Sequence, residues 1–285
     1  MRKILILISA ILIASCGGDI WEAEVPTYLN IAPFEFTTFG DQGANTSDIR
    51  DVWVYDNNEL LGAFELPAQV PLIGRGEKQI VVFPGIRENG NTFFPDIYFL
   101  YEPDTFIVNA DGSSEITIEP ETIYDERTKF SFVEDFESGN IFTLDLDEDD
   151  TTRLVTQSET VRSGGRAGLI RVNEEFPSAV VATAQSFGPF FEDGPQAYLE
   201  FDFKSNVPLT VGYFGIANDG ENFNFLKVTL LPQEEWKKVY VEFTEEFLGD
   251  DLRLANIIFR VDLDQRLSSA TEGETFIDNV KLVHF

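Results

Sequence analysis

The sequence predicts an all-β protein. After residue 20, short runs of β-branched and aromatic residues alternate with turn residues, which is the pattern of half-buried strands. No heptad repeat or long 3.6-residue periodicity interrupts these runs, so no substantial helix is expected. Hydrophobic residues make up 43% of the chain and include 27 phenylalanines, enough for a packed core despite the acidic composition. A chain of this length usually forms two domains.

The first block of predicted strands covers residues 28–121. Residues 51–55 alternate polar and apolar side chains, Asn57 and Asn58 supply turn chemistry, and residues 59–66 return as the second strand of a hairpin. Further strands are predicted at residues 28–37, 79–83, 97–101, 105–108 and 115–118, with a turn at Asn89 and Gly90. About seven strands in roughly 95 residues predict an N-terminal immunoglobulin-like β-sandwich over residues 27–122.

The second block of predicted strands runs to the end of the chain. Residues 132–139 and 275–283 resemble the first and last strands of jelly-roll modules of the galactose-binding and carbohydrate-binding type. The resemblance implies a C-terminal jelly-roll β-sandwich over residues 130–285. Charged side chains at residues 123–129 break the strand pattern and mark the boundary between the two sandwiches.

The jelly-roll resemblance also implies a metal site. In such modules a structural calcium often bridges the first and last strands through a glutamate and an aspartate, and the matching residues here are Glu137 and Asp278. Calcium binds several hard oxygen ligands of this kind. In the alternative interpretation, Glu137 is a turn residue and Asp278 is paired with a lysine or an arginine.

The first residues have the order of a secretory signal. A basic start, Arg2 and Lys3, precedes an apolar core that is shorter than the roughly 20 residues of a transmembrane helix. Small residues before Cys16, the only cysteine, resemble the bacterial lipobox. The resemblance implies a signal peptide over residues 1–15, covalent lipid on Cys16 and a lipidated tether over residues 16–26. More than one acyl chain anchors a protein stably to a bilayer.

Two further resemblances concern where the protein resides. Gly17 follows the cysteine, which by the enteric sorting rule implies transfer to the outer membrane. Residues 52–55, 61–67 and 83–86 resemble the N-terminal domain of a group of Bacteroidota surface lipoproteins. Together they predict an outer-membrane lipoprotein displayed at the cell surface.

Charge and residue counts exclude several classes of function. Removal of Arg2 and Lys3 with the signal leaves 18 basic against 50 acidic residues, a net charge of −32 that repels nucleic acid. The only histidine is His284. A serine or cysteine nucleophile therefore lacks a histidine base, and a histidine-based zinc site lacks its ligands. The sequence therefore predicts a binding protein without catalytic activity.

Two classes of partner remain open. Four phenylalanines lie in Gly-, Pro- and Asn-rich surroundings and are predicted to form an exposed docking patch on loops: Phe190, Phe191, Phe223 and Phe225. In the alternative interpretation they cap the core. With only three tryptophans for a sugar platform, the sequence favours an accessory subunit of an outer-membrane barrel complex for export, uptake or barrel assembly. The alternative is a surface lipoprotein that binds glycans through its jelly roll.

Overall fold

The structure confirms the all-β prediction. The computed structural model describes residues 25–91, 93, 95–188, 196–248, 251–266 and 271–285. Strands hold 57% of the residues and helices only 3%. The described helical segments are α1 (Thr244–Leu248) and one 3₁₀ turn (Leu263–Gln265). None of the described helices is long and apolar enough to cross a membrane.

Ten strands precede residue 123 and form the N-terminal sandwich. They are β1 (Thr27–Ile31), β2 (Glu35–Phe36), β3 (Asp51–Asp56), β4 (Glu59–Glu65), β5 (Ala68–Leu72), β6 (Gly76–Ile86), β7 (Asp96–Ile97), β8 (Asp104–Ala110), β9 (Glu115–Ile118) and β10 (Glu121–Thr122). One sheet has the order β5-β1-β9, with β1 and β9 parallel, and the other is built from β4-β3-β6-β7 with β8 also on β6. Side chains of both sheets form one buried core, among them Leu29, Val52, Val70 and Ile80.

The predicted hairpin at residues 51–66 is present as β3 and β4. Asn57 and Asn58 both adopt positive φ, at 47° and 71°, which is the backbone of the tight turns that match strand twist. The predicted strand at residues 97–101 is wrong beyond Ile97. Tyr98, Leu100 and Tyr101 are buried in a turn, because their side chains pack against the second sandwich rather than alternating across a sheet.

Eleven strands from residue 129 onward form the C-terminal sandwich. They are β11 (Lys129–Glu134), β12 (Leu144–Asp145), β13 (Leu154–Gln157), β14 (Ala167–Asn173), β15 (Ser178–Ala182), β16 (Ala197–Ser205), β17 (Leu209–Ala217), β18 (Asn222–Leu230), β19 (Gln233–Glu242), β20 (Leu252–Asp262) and β21 (Glu272–His284). One sheet has the order β13-β14-β21-β16-β19 with β11 on β21, and the other has the order β12-β15-β20-β17-β18. The first strand of this block thus pairs with the last, as the resemblance implies.

The central strands of the larger C-terminal sheet are buried on both faces. In β16, Leu199, Phe201 and Phe203 belong to the core between the two sheets. The intervening residues Tyr198 and Glu200 are buried as well, at 4% and 0% exposure. Because successive strand residues point to opposite faces, the outer face of this sheet must be covered, and the N-terminal sandwich covers it.

Tyrosines dominate the contact between the two sandwiches. Tyr98 packs edge-on against Tyr198 and Tyr240, with ring centroids 4.9 and 5.0 Å apart. Tyr101 lies 5.0 Å from Tyr124 in the same geometry. Such edge-to-face pairs each add about 0.5–1.5 kcal/mol beyond the area they bury. The two sandwiches therefore share a third hydrophobic cluster.

The carboxylate of Glu200 lies at the centre of this cluster and is fully buried. The hydroxyls of Tyr98 and Tyr124 donate hydrogen bonds of 2.7 and 2.8 Å to its two oxygens. Lys238 Nζ lies 3.4 Å from Oε2. Burial raises the pKa of both tyrosines well above 10, and the charge of Glu200 raises it further, so both hydroxyls remain donors.

A second buried cation lies beside Glu200. Lys281 Nζ donates to the carbonyl oxygen of Ala44 at 2.9 Å and to Tyr124 Oη at 3.3 Å. Burial and the charge of Lys238 lower the pKa of Lys281 to about 7. The side chain of the last strand thus binds the backbone of the N-terminal sandwich directly.

Glu200→Ala should destabilise the protein by about 3–5 kcal/mol, because it leaves a buried Lys238 without its counter-charge and two tyrosine hydroxyls without an acceptor. Denaturant unfolding followed by fluorescence measures the change. The matched control is Glu234→Ala in the exposed part of β19, expected within about 0.5 kcal/mol of the unsubstituted protein. A loss below about 1 kcal/mol for Glu200→Ala would contradict the central role of this carboxylate.

Candidate functional site

An Asn-Gly turn of the N-terminal sandwich reaches onto the edge of the C-terminal sandwich. Asn89 and Gly90 have φ values of 54° and 69°, and Asn91 N–H closes the turn on Glu88 O at 2.8 Å. Asn89 N–H donates to Tyr240 O, and Asn89 Oδ1 accepts the N–H of Glu242. The turn predicted from the sequence therefore caps the edge of β19.

Glycine is favoured at position 90 for two reasons. Its backbone lies in the left-handed region, where side chains other than asparagine are strained. A Cβ atom there would also lie 2.8 Å from Leu230 Cδ2 of β18. The close approach brings the turn and the β18–β19 hairpin together as the two walls of a groove.

The groove between these walls has a volume of about 310 Å³, within the range of small-ligand sites. Phe203, Leu230 and Val239 contribute apolar surface from three strands. The rest of the lining carries amides, a hydroxyl, an ammonium group and one exposed leucine: Asn89, Asn91, Thr229, Gln233, Lys237 and Leu231, with Gly90 between the two asparagines. This groove, referred to below as the junction groove, is made by both sandwiches.

No carboxylate lines the junction groove in the described part of the chain. This is unexpected in a protein with 50 acidic residues. Glycoside hydrolysis needs two carboxyl groups on either side of the bond that breaks. The lining therefore offers binding groups and no acid or base pair.

Several polar atoms of the lining are available to a ligand. Asn89 and Asn91 use their Oδ1 atoms internally, to accept backbone N–H groups of Glu242 and Phe93. Their amide nitrogens form no hydrogen bond with described residues. Leu231, which also lines the groove, is 63% exposed. An exposed apolar side chain near amide donors can contact one face of a sugar ring while the amides bind its hydroxyl groups.

Glu137 and Asp278 bind the two ends of one loop. Glu137 Oε1 accepts the backbone N–H groups of Gly165 and Arg166 at 2.6 and 2.9 Å. Asp278 Oδ2 accepts those of Arg162 and Ser163 at 3.0 and 3.1 Å.

These contacts bear on both interpretations of the pair. Among the described residues, Asp278 is paired with backbone N–H groups and with no lysine or arginine. No described group of three or more His, Cys, Asp or Glu side chains is arranged to hold a metal ion. The carboxylate oxygens already face N–H donors, which a cation would have to displace. A calcium ion at Glu137 and Asp278 stays a prediction.

Phe223 and Phe225 lie in strand β18 and not in a loop, which corrects the sequence interpretation. They alternate with Asn222 and Asn224 along an edge strand. Asparagine is common in turns, so the sequence indicated a loop at a place where the chain is extended. Each phenylalanine is 36% exposed, and their ring centroids lie 5.9 and 5.3 Å from that of Tyr213.

Three predicted site residues lie outside the described residues: Cys16, Phe190 and Phe191. Lipidation of Cys16 and docking through the four phenylalanines remain predictions. The groove residues Gln233 and Lys237 were not foreseen from the sequence. The one signal for the groove in the sequence was the Asn-Gly turn. It predicted the local backbone conformation but not which strand the turn contacts.

The stability of the protein should fall between about pH 4 and 6 through Asp278. Burial raises the pKa of this carboxyl from 3.8 to about 6, and the charge of Asp202 contributes in the same direction. Between these two pKa values the folded state keeps a proton that the unfolded state has already released, so a rise in pH favours the unfolded state. The dependence on pH ends once Asp278 is ionised in both states. Denaturant unfolding should show the unsubstituted protein losing stability relative to Asp278→Asn as the pH rises from 4 to 7.

The exposed Asp41→Asn variant is the control and should show no such trend. A difference between the unsubstituted protein and Asp278→Asn that is equal at both pH values would show that Asp278 titrates normally.

Comparisons with known proteins found similarity only among solved structures. No protein-family model and no curated protein sequence matches the chain. The family 22 carbohydrate-binding module of Clostridium thermocellum Xyn10B is 13% identical, covering 55% of this chain and 96% of that chain with a TM-score of 0.38. The xylan-binding CBM22-1 domain of Paenibacillus barcinonensis Xyn10C is 8% identical with the same coverage and TM-score.

Two further solved structures are also similar to this chain. A carbohydrate-binding module of the β-sandwich superfamily is 12% identical over 82% of this chain and 84% of that chain, with a TM-score of 0.38. The enzymatically active domain of tailspike protein 4 of bacteriophage CBA120 is 14% identical over 46% of this chain and 17% of that chain, with a TM-score of 0.35. All four TM-scores are below 0.5, so the function is inferred from the residues of this chain.

Proposed function

We propose that the protein is a non-catalytic glycan-binding protein whose binding site is the junction groove. The observation that carries the proposal is the composition of the lining: amide, hydroxyl and ammonium groups surround an apolar surface, and no described carboxylate lies among them. Sugar hydroxyl groups both donate and accept hydrogen bonds, and amide side chains do the same. The apolar surface matches the C–H faces of a pyranose ring.

The groove is preformed, which favours binding. The Asn89–Gly90 turn is held to β19 by two hydrogen bonds of Asn89, one donated by its backbone N–H and one accepted by its side-chain Oδ1. Phe203 and Val239 are core residues of the jelly roll. A ligand therefore loses its own freedom on binding, while the protein loses little. We further propose that Cys16 carries the lipid anchor and that the groove is displayed at the outer membrane, where extracellular polysaccharide is accessible.

Leu231→Ala should lower the affinity for a bound glycan about tenfold. Covering roughly 50 Å² of the exposed leucine side chain is worth about 1.3 kcal/mol, close to a factor of ten. Gln233→Ala should cost a similar factor through one lost hydrogen bond. Binding is measured by a glycan array, followed by isothermal titration calorimetry with the oligosaccharide that binds most strongly.

Matched controls exist for both substitutions. Leu60→Ala removes another exposed leucine, and Gln69→Ala removes an exposed glutamine of β5, neither of which lines the groove. Equal losses of affinity in the control variants and in the groove variants would show that the glycan binds elsewhere on the protein. The absence of any glycan ligand would contradict the proposal as a whole.

An accessory subunit of an outer-membrane barrel complex is the second candidate. The observation that favours it is edge strand β18, which exposes Phe223, Phe225 and Leu226. Exposed edges with apolar side chains are used for pairing with other chains. Purification of the tagged protein from outer membranes in mild detergent, with quantitative mass spectrometry, tests this role. Recovery of a barrel protein in equal amounts would support it, and recovery of the lipoprotein alone would not.

A further inference from the structure

A second, smaller cleft adjoins the junction groove and has a different electrostatic character. The two clefts share four lining residues: Gly90, Asn91, Lys237 and Val239. The smaller cleft is lined by four basic side chains and one acidic side chain: Arg50, Arg87, Lys237, Lys238 and Asp48. The whole chain has only 20 lysines and arginines against 50 acidic residues. One fifth of its basic residues therefore surrounds this cleft.

Three of these four cations have an acidic partner. Arg50 Nε lies 2.8 Å from Asp48 Oδ1, and Arg87 Nε lies 3.0 Å from Asp51 Oδ2. Lys238 is paired with the buried Glu200. Lys237 differs, because its ammonium group forms no ion pair and no hydrogen bond with any described residue. It is the one basic group of the cleft left for a ligand.

The two arginines near Lys237 outweigh Asp48 in their effect on its ammonium group. Burial lowers the pKa of its ammonium group, and the charges of Arg50 and Arg87 lower it further, whereas Asp48 acts in the opposite direction. An anion placed beside Lys237 would be attracted by the same charges. The smaller cleft has a volume of about 10 Å³, close to the space that one water-sized group occupies. It admits a single oxygen atom and no ring.

We propose that the junction groove selects glycans that carry a carboxylate, with the sugar ring in the groove and one carboxylate oxygen directed to Lys237 in the smaller cleft. This inference rests on the proposed glycan function and names the ligand class of the same site. A uronic acid has this shape, because its carboxyl group replaces the exocyclic CH₂OH of a neutral sugar. Hydrogen bonds between an ammonium group and a carboxylate are about twice as strong as neutral ones.

The net charge of the protein restricts this class further. Fifty acidic residues repel a polyanion, and salt screens that repulsion only beyond about 8 Å at physiological ionic strength. A glycan with isolated uronic acids has little of this repulsion to overcome and still offers one carboxylate to Lys237. The preferred ligand is therefore a largely neutral chain with sparse uronic acids.

The test uses acidic oligosaccharides that contain glucuronate, galacturonate or mannuronate, each paired with its carboxyl-reduced form. The full-length mature protein should bind the acidic member of a pair about tenfold or more tightly than the reduced member. Lys237→Gln keeps most of the stem and removes the charge. It should abolish that preference, so that the acidic and reduced members of a pair bind with similar affinity. Lys129→Gln on β11 is the matched control and should retain the preference.

The outcomes separate this inference from the function on which it rests. Equal binding of acidic and reduced members, unchanged by Lys237→Gln, would overturn the carboxylate selection and leave glycan binding intact. A failure to bind any member of any pair would overturn the proposed function and the selection with it. Added NaCl should weaken binding of the acidic members more in the unsubstituted protein than in Lys237→Gln, because repulsion by the acidic residues is common to both proteins. An equal salt effect in the two proteins would overturn the role of Lys237.

Discussion

The fold of this protein depends on one buried carboxylate. Glu200 extends from the outer face of a jelly-roll sheet and accepts hydrogen bonds from Tyr98 and Tyr124 of the segments that precede it. A buried charge is tolerated only when it is paired and hydrogen-bonded. The two sandwiches must therefore lie in one arrangement, because a different one would remove the tyrosine hydroxyls that satisfy the oxygens of Glu200. This constraint also fixes the Asn89–Gly90 turn against β19, and that contact creates the junction groove.

The sequence predicted those parts of the structure that local chemistry determines. The β3–β4 hairpin and the Asn-Gly turn follow from turn residues and alternation, and the first and last strands of the jelly roll follow from resemblance. The contacts between the sandwiches were not predictable in this way. Tyr98 and Tyr101 were predicted to lie in a strand. The sequence pattern of residues buried against another domain resembles that of residues buried in a sheet. Lys237 could not be recognised either, since its significance lies in Arg50 and Arg87, which are far from it in the sequence.

The distribution of charge links the fold to the proposed function. Acidic side chains dominate the composition, yet the junction groove has no described carboxylate and the adjoining cleft is mainly basic. The basic side chains come from both sandwiches: Arg50 and Arg87 from the first, Lys237 and Lys238 from the second. Neither sandwich alone would form the site. Because the ligand contacts both sandwiches, ligand binding should stabilise the packing of one sandwich on the other.

The central claim is that a glycan binds between the two sandwiches. Hydrogen exchange followed by mass spectrometry, with and without the oligosaccharide that binds most strongly in the array, tests it most directly. The account predicts slower exchange in two segments at once, residues 87–93 of the N-terminal sandwich and residues 229–239 of the C-terminal sandwich. Protection confined to one sandwich, or centred on β18, would contradict it and place the binding site outside the junction.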